Sequence, residues 1–322
     1  MVAISARRFT GKIAVVTDGV SGTGLGIVRR LVAEGARVVV GDIDEHGLGR
    51  AAAGSGTDVV PLVTDVRREP DIESLVTTVV ERFGRLDCAF NVAGAGGGGP
   101  VVGLSAQEID SVLSLTLRST FLCVKHEASQ FIAQDSSGAI VNIASINATQ
   151  PDEGTAPYNA AKAGVVSLTQ SAALELGGHG VRVNAVGPGL VETPMTRVLT
   201  ENPPVVQACQ DATPLTWRGR PEDIAAAAFL GSEESAWTIG HTLYADGGQT
   251  DGHGISEVAA AVRAEHGRDA GGSSRTLDPT FPVACGSLAT SWHLRSACPS
   301  VTEPGRGRIA AASADVEFEE TS

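Results

Sequence analysis

The chain is poor in aromatic side chains and in positive charge. Aromatic residues make up 4% of its 322 residues, and only two of them are tyrosines. Lysine and arginine number 24 against 37 acidic residues, which gives a formal net charge of −13. No basic stripe stands out along the sequence, so the composition argues against a nucleic-acid partner.

The sequence also lacks long hydrophobic runs and metal-binding or disulfide motifs. No segment approaches the ~18 uninterrupted apolar residues of a membrane span, and Ile13–Thr17 is soon cut by Asp18, which indicates a strand rather than a signal peptide. The five cysteines are widely spaced without a CxxC pair, and the seven histidines show no ligand spacing. We therefore predict a soluble cytoplasmic protein without disulfides or metal, in which Cys88 and Cys123 are core residues.

Short apolar runs alternate with longer helical patterns along most of the chain. The runs that predict strands are KIAVVT, RVVVGD, VVPLVTD, LDCAFNVAG, GAIVNIAS, GVRVNAVGPG and HTLYADGG. Between them we predict helices, including one around residues 45–53 and a long one over residues 106–134. Strands rich in valine and isoleucine are typical of a parallel sheet covered on both faces, so the pattern predicts a single doubly wound α/β domain with its ligand site at the carboxyl ends of the strands.

The domain is predicted to span residues 10–250, after a short N-terminal segment, 1–9. Residues 251–322 form a C-terminal extension. ISEVAAAVRAEHG, at 255–267, predicts one amphipathic helix. From about residue 268 the chain is rich in Gly, Ser and Pro and lacks periodicity, so we expect it to be largely disordered. Its composition is compatible with a functional tail or with a dispensable extension.

A glycine-rich turn, TDGVSGTGLG at 17–26, joins the first strand to the first helix. Its Gly22 and Gly24 let the backbone approach a ligand, and the helix N-terminus behind them favours a phosphate group. Asp42 ends the second strand about 20 residues beyond the turn, where a carboxylate can accept both hydroxyls of an adenosine ribose. The same charge repels a 2′-phosphate, and the turn has no lysine or arginine. The pattern predicts NAD rather than NADP; the alternative is a solvated aspartate at a strand end.

A tyrosine and a lysine share one helix face in TAPYNAAKAG, at 155–164. Tyr158 precedes Lys162 by four residues, and Ser145 ends the strand GAIVNIAS thirteen residues before the tyrosine. A free phenol has a pKa of about 10, which a neighbouring ammonium and a positive nicotinamide ring would lower. Tyr158 could then exchange a proton with an alcohol or ketone while Ser145 holds the substrate oxygen. The lysine could also contact the nicotinamide ribose.

Together these motifs identify a resemblance. From about residue 10 to 248 the chain resembles the classical short-chain dehydrogenase/reductases, on the glycine turn, Asp42, TDV at 64–66, NVAG at 91–94, Ser145, YNAAK, and GPGLVETPM at 187–195. The resemblance implies a Rossmann-type domain with a seven-stranded parallel sheet, a nicotinamide cofactor and an assembly that is often tetrameric. The cofactor-binding positions that it implies are Asp18, Ser21, Gly22, Thr23, Gly24, Asp42, Ile43, Asp65, Val66, Asn91, Ala93, Gly94, Tyr158, Lys162, Pro188, Gly189, Val191 and Thr193. Within that set it implies Asp65 and Val66 near adenine, Asn91 and Gly94 near the ribose, and Val191 and Thr193 near the carboxamide.

Three residues depart from the family pattern. Asp18 stands where the family turn has its first glycine, and Val92 replaces the second asparagine of the NNAG motif. Thr116 occupies the position of the catalytic-tetrad asparagine, which in the family helps to hold a water linked to the lysine. Its hydroxyl is shorter than that side chain and lacks an amide. We expect Val92 to be tolerated as packing, whereas Asp18 and Thr116 bear on cofactor binding and turnover.

These observations support two functional hypotheses. The first is an NAD-dependent alcohol dehydrogenase or ketone reductase with Ser145, Tyr158, Lys162 and Thr116 as its catalytic set, acting as a homotetramer or homodimer. The second is an NAD-binding subunit or sensor with little turnover, which Asp18 and Thr116 would explain. The segment 194–217 matches the family's variable substrate-covering region and favours an apolar substrate; ordinary packing of a surface helix pair explains its apolar residues equally well. These residues are Met195, Val198, Leu199, Val205, Val206, Leu215 and Trp217.

Overall fold

The computed structural model describes residues 7–55 and 58–250. Their strands form one sheet of seven parallel strands, in the order β3-β2-β1-β4-β5-β6-β7. The strands are β1 Ile13–Thr17, β2 Arg37–Asp42, β3 Val59–Val63, β4 Cys88–Asn91, β5 Gly138–Ile143, β6 Val181–Pro188 and β7 Thr242–Ala245. The predicted doubly wound, Rossmann-type sheet is confirmed, and each predicted strand is present. The helix predicted at 255–267 and the rest of the extension lie outside the described residues.

Nine α-helices connect or flank these strands in the part of the chain described. They are α1 Gly22–Ala33, α2 Glu45–Ser55, α3 Glu69–Phe83, α4 Ala106–Leu113, α5 Ser119–Ala133, α6 Ala156–Leu176, α7 Arg197–Thr200, α8 Pro203–Asp211 and α9 Pro221–Ala225. The strand order reverses between β1 and β4, which both pair with their neighbours in parallel. A crevice therefore opens at the carboxyl ends of these two strands, where doubly wound proteins bind ligands.

The single helix predicted over residues 106–134 is interrupted in the structure. A π-helical segment, Ser114–Arg118, separates α4 from α5. The first two residues of α5 bond back to main-chain carbonyls of this segment: Ser119 Oγ donates to Leu115 O, and Thr120 Oγ1 donates to Thr116 O at 2.8 Å. Side-chain bonds of this kind compete with the helix ladder, and π-helical turns commonly mark functional positions. Periodicity alone carries no signal for the interruption.

Both faces of the sheet are covered by helices. Along β1, Ala14 and Val16 face one apolar cluster with α1 and α9, whereas Ile13 and Val15 face a second cluster with α3, α5 and α6. This alternation explains why every residue of β1 is buried. Cys88 and Cys123 are buried free cysteines, as predicted, and burial raises the pKa of both thiols.

The segment 194–217 carries the two short helices α7 and α8. Val205 and Cys209 of α8 pack against Ile146, in a small cluster of their own. Ile146 directly follows Ser145, so this segment lies over the turn that carries the serine. Within the described residues, no helix combines the length and the apolar character needed to cross a membrane.

Candidate active site

The turn after β1 forms a cradle of backbone at the N-terminus of α1. Gly22 has a φ of +45°, in the left-handed region, and a side chain there would meet Thr193 at 3.2 Å. A Cβ on Gly24 would lie 1.9 Å from the carbonyl oxygen of Asp18, so only glycine fits. Ser21 leaves the first N–H groups of α1 without a side-chain cap. The geometry fits a phosphate group held by free backbone donors.

Asp42 lies beneath this turn and ties it to the end of β2. Its side chain is buried, with one oxygen accepting from Val20 N at 3.2 Å and the other from Asp44 N at 3.0 Å. A carboxylate has about four acceptor sites, so one remains for a ribose hydroxyl beside these two bonds and a third from Asp18. Ile43, the next residue, is 54% exposed and leaves an apolar surface beside the carboxylate.

Asp18 stands in the left-handed region with a φ of +52°, which aspartate tolerates better than most residues. Burial first, then the negative charge of Asp42 and a hydrogen bond with that residue, together raise the pKa of its carboxyl to about 8, while Lys162 opposes the shift. Near neutral pH Asp18 is therefore largely protonated. A carboxylate at this turn would repel a pyrophosphate, and protonation of Asp18 reduces that repulsion.

Ser145 follows the end of β5, and Tyr158 and Lys162 lie in the first turns of α6. The Lys162 ammonium is buried, donates to Ile143 O at 2.7 Å, and lies 5.7 Å from the centroid of the Tyr158 ring. Ser145 is also buried and caps the 3₁₀ turn that follows it. The spacing therefore places the ammonium beside the ring on one helix face, as the sequence pattern predicts.

The pKa values in this trio differ from the expectation for the tyrosine. Burial raises the pKa of the Tyr158 phenol; a hydrogen bond with Ser145 opposes the shift, and the charge of Asp152 adds to it. Burial lowers the pKa of Lys162 to about 8, against the effect of Asp18. In the protein chain alone the lysine does not bring the phenol below its ordinary range, because desolvation outweighs the available charge.

Thr116 and Lys162 both lie close to Gly94. A Cβ on Gly94 would lie 3.3 Å from Lys162 Nζ and 3.6 Å from Thr116 Oγ1. The threonine hydroxyl donates to Ala95 O and accepts from Ala95 N, both at 3.3 Å. Thr116 is fully buried in the π-helical segment. Its hydroxyl is thus engaged with the loop after β4 rather than with the lysine.

Asn91, the last residue of β4, forms hydrogen bonds to α5 and β5. Its Nδ2 donates to Glu127 Oε2 and to Asn142 Oδ1, each at 3.0 Å, while its own buried Oδ1 has no hydrogen-bond partner. Burial raises the pKa of Glu127 to about 7. Asn142 continues the chain of bonds by donating to Thr169 Oγ1 at 3.0 Å. The amide of Asn91 therefore anchors β4 to α5 and β5.

Three predicted cofactor-binding residues, Asp65, Val66 and Ala93, contact neighbouring side chains of their own. Asp65 forms an ion pair with Arg67 at 2.7 Å, which together with their hydrogen bond lowers the pKa of the carboxyl. Val66 is buried against Ile72, and Ala93 packs half-buried on the same cluster.

One cavity joins most of the predicted site residues. It is lined by Asp18, Ser21, Gly22, Thr23, Val92, Gly94, Ile143, Ala144, Ser145, Tyr158, Lys162, Pro188, Gly189, Val191, Thr193, Pro194, Met195 and Thr196. The predicted residues that are not in this lining are Gly24, Asp42, Ile43, Asp65, Val66, Asn91, Ala93 and Thr116. The backbone cradle and the Ser145–Tyr158–Lys162 trio thus open into the same space.

Sequence reasoning missed Asn147 and Asp152. Asn147 follows Ser145 by two residues and bonds to its hydroxyl, and Asp152 bonds in turn to Asn147. Polar residues are common in a loop between a strand and a helix, so neither carried a distinguishing signal. Glu127 was missed too; a lone glutamate in a helical pattern is indistinguishable from a surface residue.

Comparison with known proteins decides the family. The family model described as enoyl-(acyl carrier protein) reductase matches residues 19–250. The chain belongs to the classical short-chain dehydrogenase/reductase family. It is 35% identical over 256 residues to the levodione reductase of Leifsonia aquatica, an alignment that covers 76% of this chain and 96% of that protein.

Other members of the family are similarly close. Borneol dehydrogenase of Lavandula x intermedia is 38% identical over 77% of this chain and 94% of its own length. A crystal structure of levodione reductase superposes with a TM-score of 0.72, over 76% of this chain and all of that one. The 3-ketoacyl-(acyl-carrier-protein) reductase of Brucella melitensis, solved with NADH, gives a TM-score of 0.70 at 31% identity, over 75% and 99% of the two chains. This chain is therefore an oxidoreductase of a family that binds a nicotinamide cofactor.

Proposed function

We propose that the protein transfers a hydride between NAD and a fairly apolar secondary alcohol or ketone. The observation that carries the proposal is the shared cavity. Gly22 and the N-terminus of α1 line it together with Ser145, Tyr158 and Lys162. A phosphate cradle and a proton-transfer group in one space suit a reaction between a bound dinucleotide and a small molecule.

The residues present fit a dinucleotide. Backbone donors at Gly22 and Thr23 suit a pyrophosphate, and the Asp42 carboxylate suits a hydroxyl of the adenosine ribose. We propose NAD rather than NADP because the charge of Asp42 would repel a 2′-phosphate. When bound, the nicotinamide supplies the hydride acceptor or donor; the protein supplies binding, orientation and the proton path.

The proton moves at the Tyr158 hydroxyl. In alcohol oxidation a phenolate accepts the alcohol's proton, and in ketone reduction the phenol donates one to the carbonyl oxygen. Ser145 holds the substrate oxygen by a hydrogen bond. Lys162 is anchored by its bond to Ile143 O, so its positive charge stays beside the ring instead of reaching solvent.

An apolar substrate is supported by the apolar residues of the segment 194–217. Met195 of this segment lines the cavity, and its Leu199, Leu215 and Trp217 are exposed by 43%, 47% and 59%. The names of levodione reductase and borneol dehydrogenase point to small cyclic molecules as substrates of those relatives. We therefore infer a compact, weakly polar alcohol or ketone.

We also propose a homotetramer or homodimer. An apolar groove along α4, the π-helical segment and α5 is lined by Leu113, Leu117, Phe121 and Leu122. Phe121 is 56% exposed there. A second copy of the chain covering this groove would remove that apolar surface from water.

The test is turnover of a panel of secondary alcohols and ketones with NAD or NADP, followed by the absorbance of the reduced nicotinamide. We expect oxidation of apolar cyclic alcohols with NAD and a markedly lower rate with NADP. The Asp42→Ala variant serves as the control for cofactor choice. Calorimetric NAD binding without turnover of any panel member would contradict the proposal and favour an NAD-binding subunit or sensor.

A further inference from the structure

A closed set of hydrogen bonds surrounds the amide of Asn147. Its Nδ2 donates to Asp152 Oδ2 at 2.9 Å and to Asn159 Oδ1 at 3.1 Å, and its Oδ1 accepts from Ser145 Oγ at 3.2 Å. The backbone N–H of Asn147 donates to the same Ser145 Oγ at 3.2 Å. Both amide hydrogens and the amide oxygen are therefore in use.

The carboxylate of Asp152 sets the orientation of this amide. An ionised carboxylate only accepts hydrogen bonds, so the NH₂ end of Asn147 must face it. The carbonyl end then faces Ser145 and accepts its hydrogen in the protein chain alone. Since the hydroxyl has one hydrogen, that hydrogen turns from Asn147 to a substrate oxygen while Asn147 N–H keeps Oγ in place. Without the carboxylate, the bond to Asn159 Oδ1 alone would favour this orientation of the amide, and the hold of the amide on Ser145 would weaken.

The same set of bonds joins the serine to the helix of the tyrosine. Asn159, adjacent to Tyr158 at the start of α6, donates through Nδ2 to Asp152 O at 2.8 Å. Thr155 Oγ1 lies 3.1 Å from Asp152 O and 3.0 Å from Asn159 Oδ1, so its one hydrogen can be donated to either. The loop at 152–155 and the first turn of α6 are thus bound to the turn after Ser145. This arrangement determines the separation between the serine and the tyrosine.

We propose that Asn147 and Asp152 are positioning residues for the reaction: Asp152 orients the Asn147 amide, and Asn147 holds the Ser145 hydroxyl beside Tyr158. The inference rests on the proposed function, since it assigns these roles to the same proton-transfer site. Neither residue needs to touch the substrate. Their effect reaches the reacting atoms through Ser145, where a misplacement of about 1 Å can cost about 100-fold in rate.

Asp152 also acts on the tyrosine by its charge. The charged groups that face Tyr158 are Asp152, on the loop before α6, and Lys162, one turn along α6; Asp18 lies beyond the lysine. The negative charge of Asp152 raises the pKa of the phenol. Removing that charge while keeping the side chain's size should therefore lower the pKa of Tyr158.

The first experiment measures that pKa without relying on activity. The chain has only two tyrosines, so a Tyr244→Phe background leaves Tyr158 as the one phenol whose ultraviolet absorbance changes on ionisation. In this background we expect Asp152→Asn to move the titration to lower pH. Glu153→Gln is the matched control, because it removes an exposed charge one residue away and should leave the titration in place. Circular dichroism at each pH verifies that the protein stays folded. An unchanged titration in Asp152→Asn would overturn the charge effect of Asp152 on Tyr158, and an unchanged kcat in the same variant would overturn its orienting of Asn147.

The second experiment measures steady-state rates with the best substrate of the panel. We expect Asn147→Ala to lower kcat by about 10- to 100-fold with unchanged NAD affinity, since only the serine loses its support. Asp152→Asn should shift the ascending limb of the pH profile of kcat/KM to lower pH. A kcat within about twofold of wild type in Asn147→Ala would overturn the positioning role. A wild-type protein without turnover would refute the proposed function, while the tyrosine titration would still decide the charge effect of Asp152 on Tyr158.

Discussion

Replacing Asp18 with asparagine should stabilise the protein increasingly as the pH rises from about 4 to about 8. Folding raises the pKa of this carboxyl from 3.8 to about 8, chiefly by burial and then by the charge of Asp42. Between those two values the native state binds a proton that the unfolded chain has released. Stability due to this group is therefore fully present at low pH, falls as the pH rises, and is lost above the folded pKa.

The size of the effect follows from the shift. Four pKa units correspond to about 5 kcal/mol, which is the upper limit of the difference at high pH. Water penetration and side-chain rotation relieve part of the cost of a buried charge, so we expect the variant to be more stable by about 2–4 kcal/mol at pH 8. Asparagine also adopts a positive φ without much strain, and its NH₂ group can donate to Asp42 as the protonated carboxyl does.

Urea unfolding of both proteins across this pH range gives the test. The difference in unfolding free energy between variant and wild type should grow with pH, and the subtraction removes the contribution of Glu127, which both proteins share. Asp58→Asn, at an exposed position, is the control and should show no such trend. A difference that is flat with pH, or that shrinks as the pH rises, would refute the assignment of a proton to Asp18.

Three further predictions concern the cofactor and the lysine. Asp18→Gly should bind NAD more tightly than wild type by about 1 kcal/mol above pH 8, because the wild-type carboxyl is ionised there. Titration calorimetry measures this difference, and equal affinities would show that the carboxylate does not face the pyrophosphate. Asp42→Ala should relax the preference for NAD, and a wild-type protein that already prefers NADP would contradict that role. Thr116→Asn should raise kcat at nearly constant NAD affinity if an amide in the π-helical segment restores a link to Lys162; an unchanged kcat would mean that the threonine is neutral.

The fold was largely predictable because its signals are local and repeated. Runs such as IAVVT and RVVVGD are apolar on both sides of the strand, and that pattern occurs mainly in sheets covered by helices on both faces. The turn glycines were predictable for a related reason: the backbone conformation of Gly22 and the close approach at Gly24 leave no room for a side chain. Tyr158 and Lys162 follow from helical spacing.

The features that sequence could not give depend on tertiary contacts. The proton on Asp18 arises from burial beside Asp42, which lies 24 residues away in sequence. The bond from Asn91 to Glu127 and the π-helical break at Thr116 require the packing of α5 against the sheet end. Asn147 and Asp152 are ordinary loop residues until the first turn of α6 brings Asn159 against them. Each of these contacts joins elements whose relative placement no local pattern encodes.

The role of Tyr158 is tested most directly by Tyr158→Phe, with Tyr244→Phe as the matched control that removes the other phenol of the chain. Formation of reduced nicotinamide from NAD and the best alcohol of the panel would be followed alongside calorimetric NAD binding. We expect Tyr158→Phe to lose at least about 100-fold in turnover, because the proton carrier is gone, while its NAD affinity and the activity of Tyr244→Phe stay near those of wild type. Retention of about a tenth of the wild-type rate in Tyr158→Phe would contradict the proton-transfer mechanism.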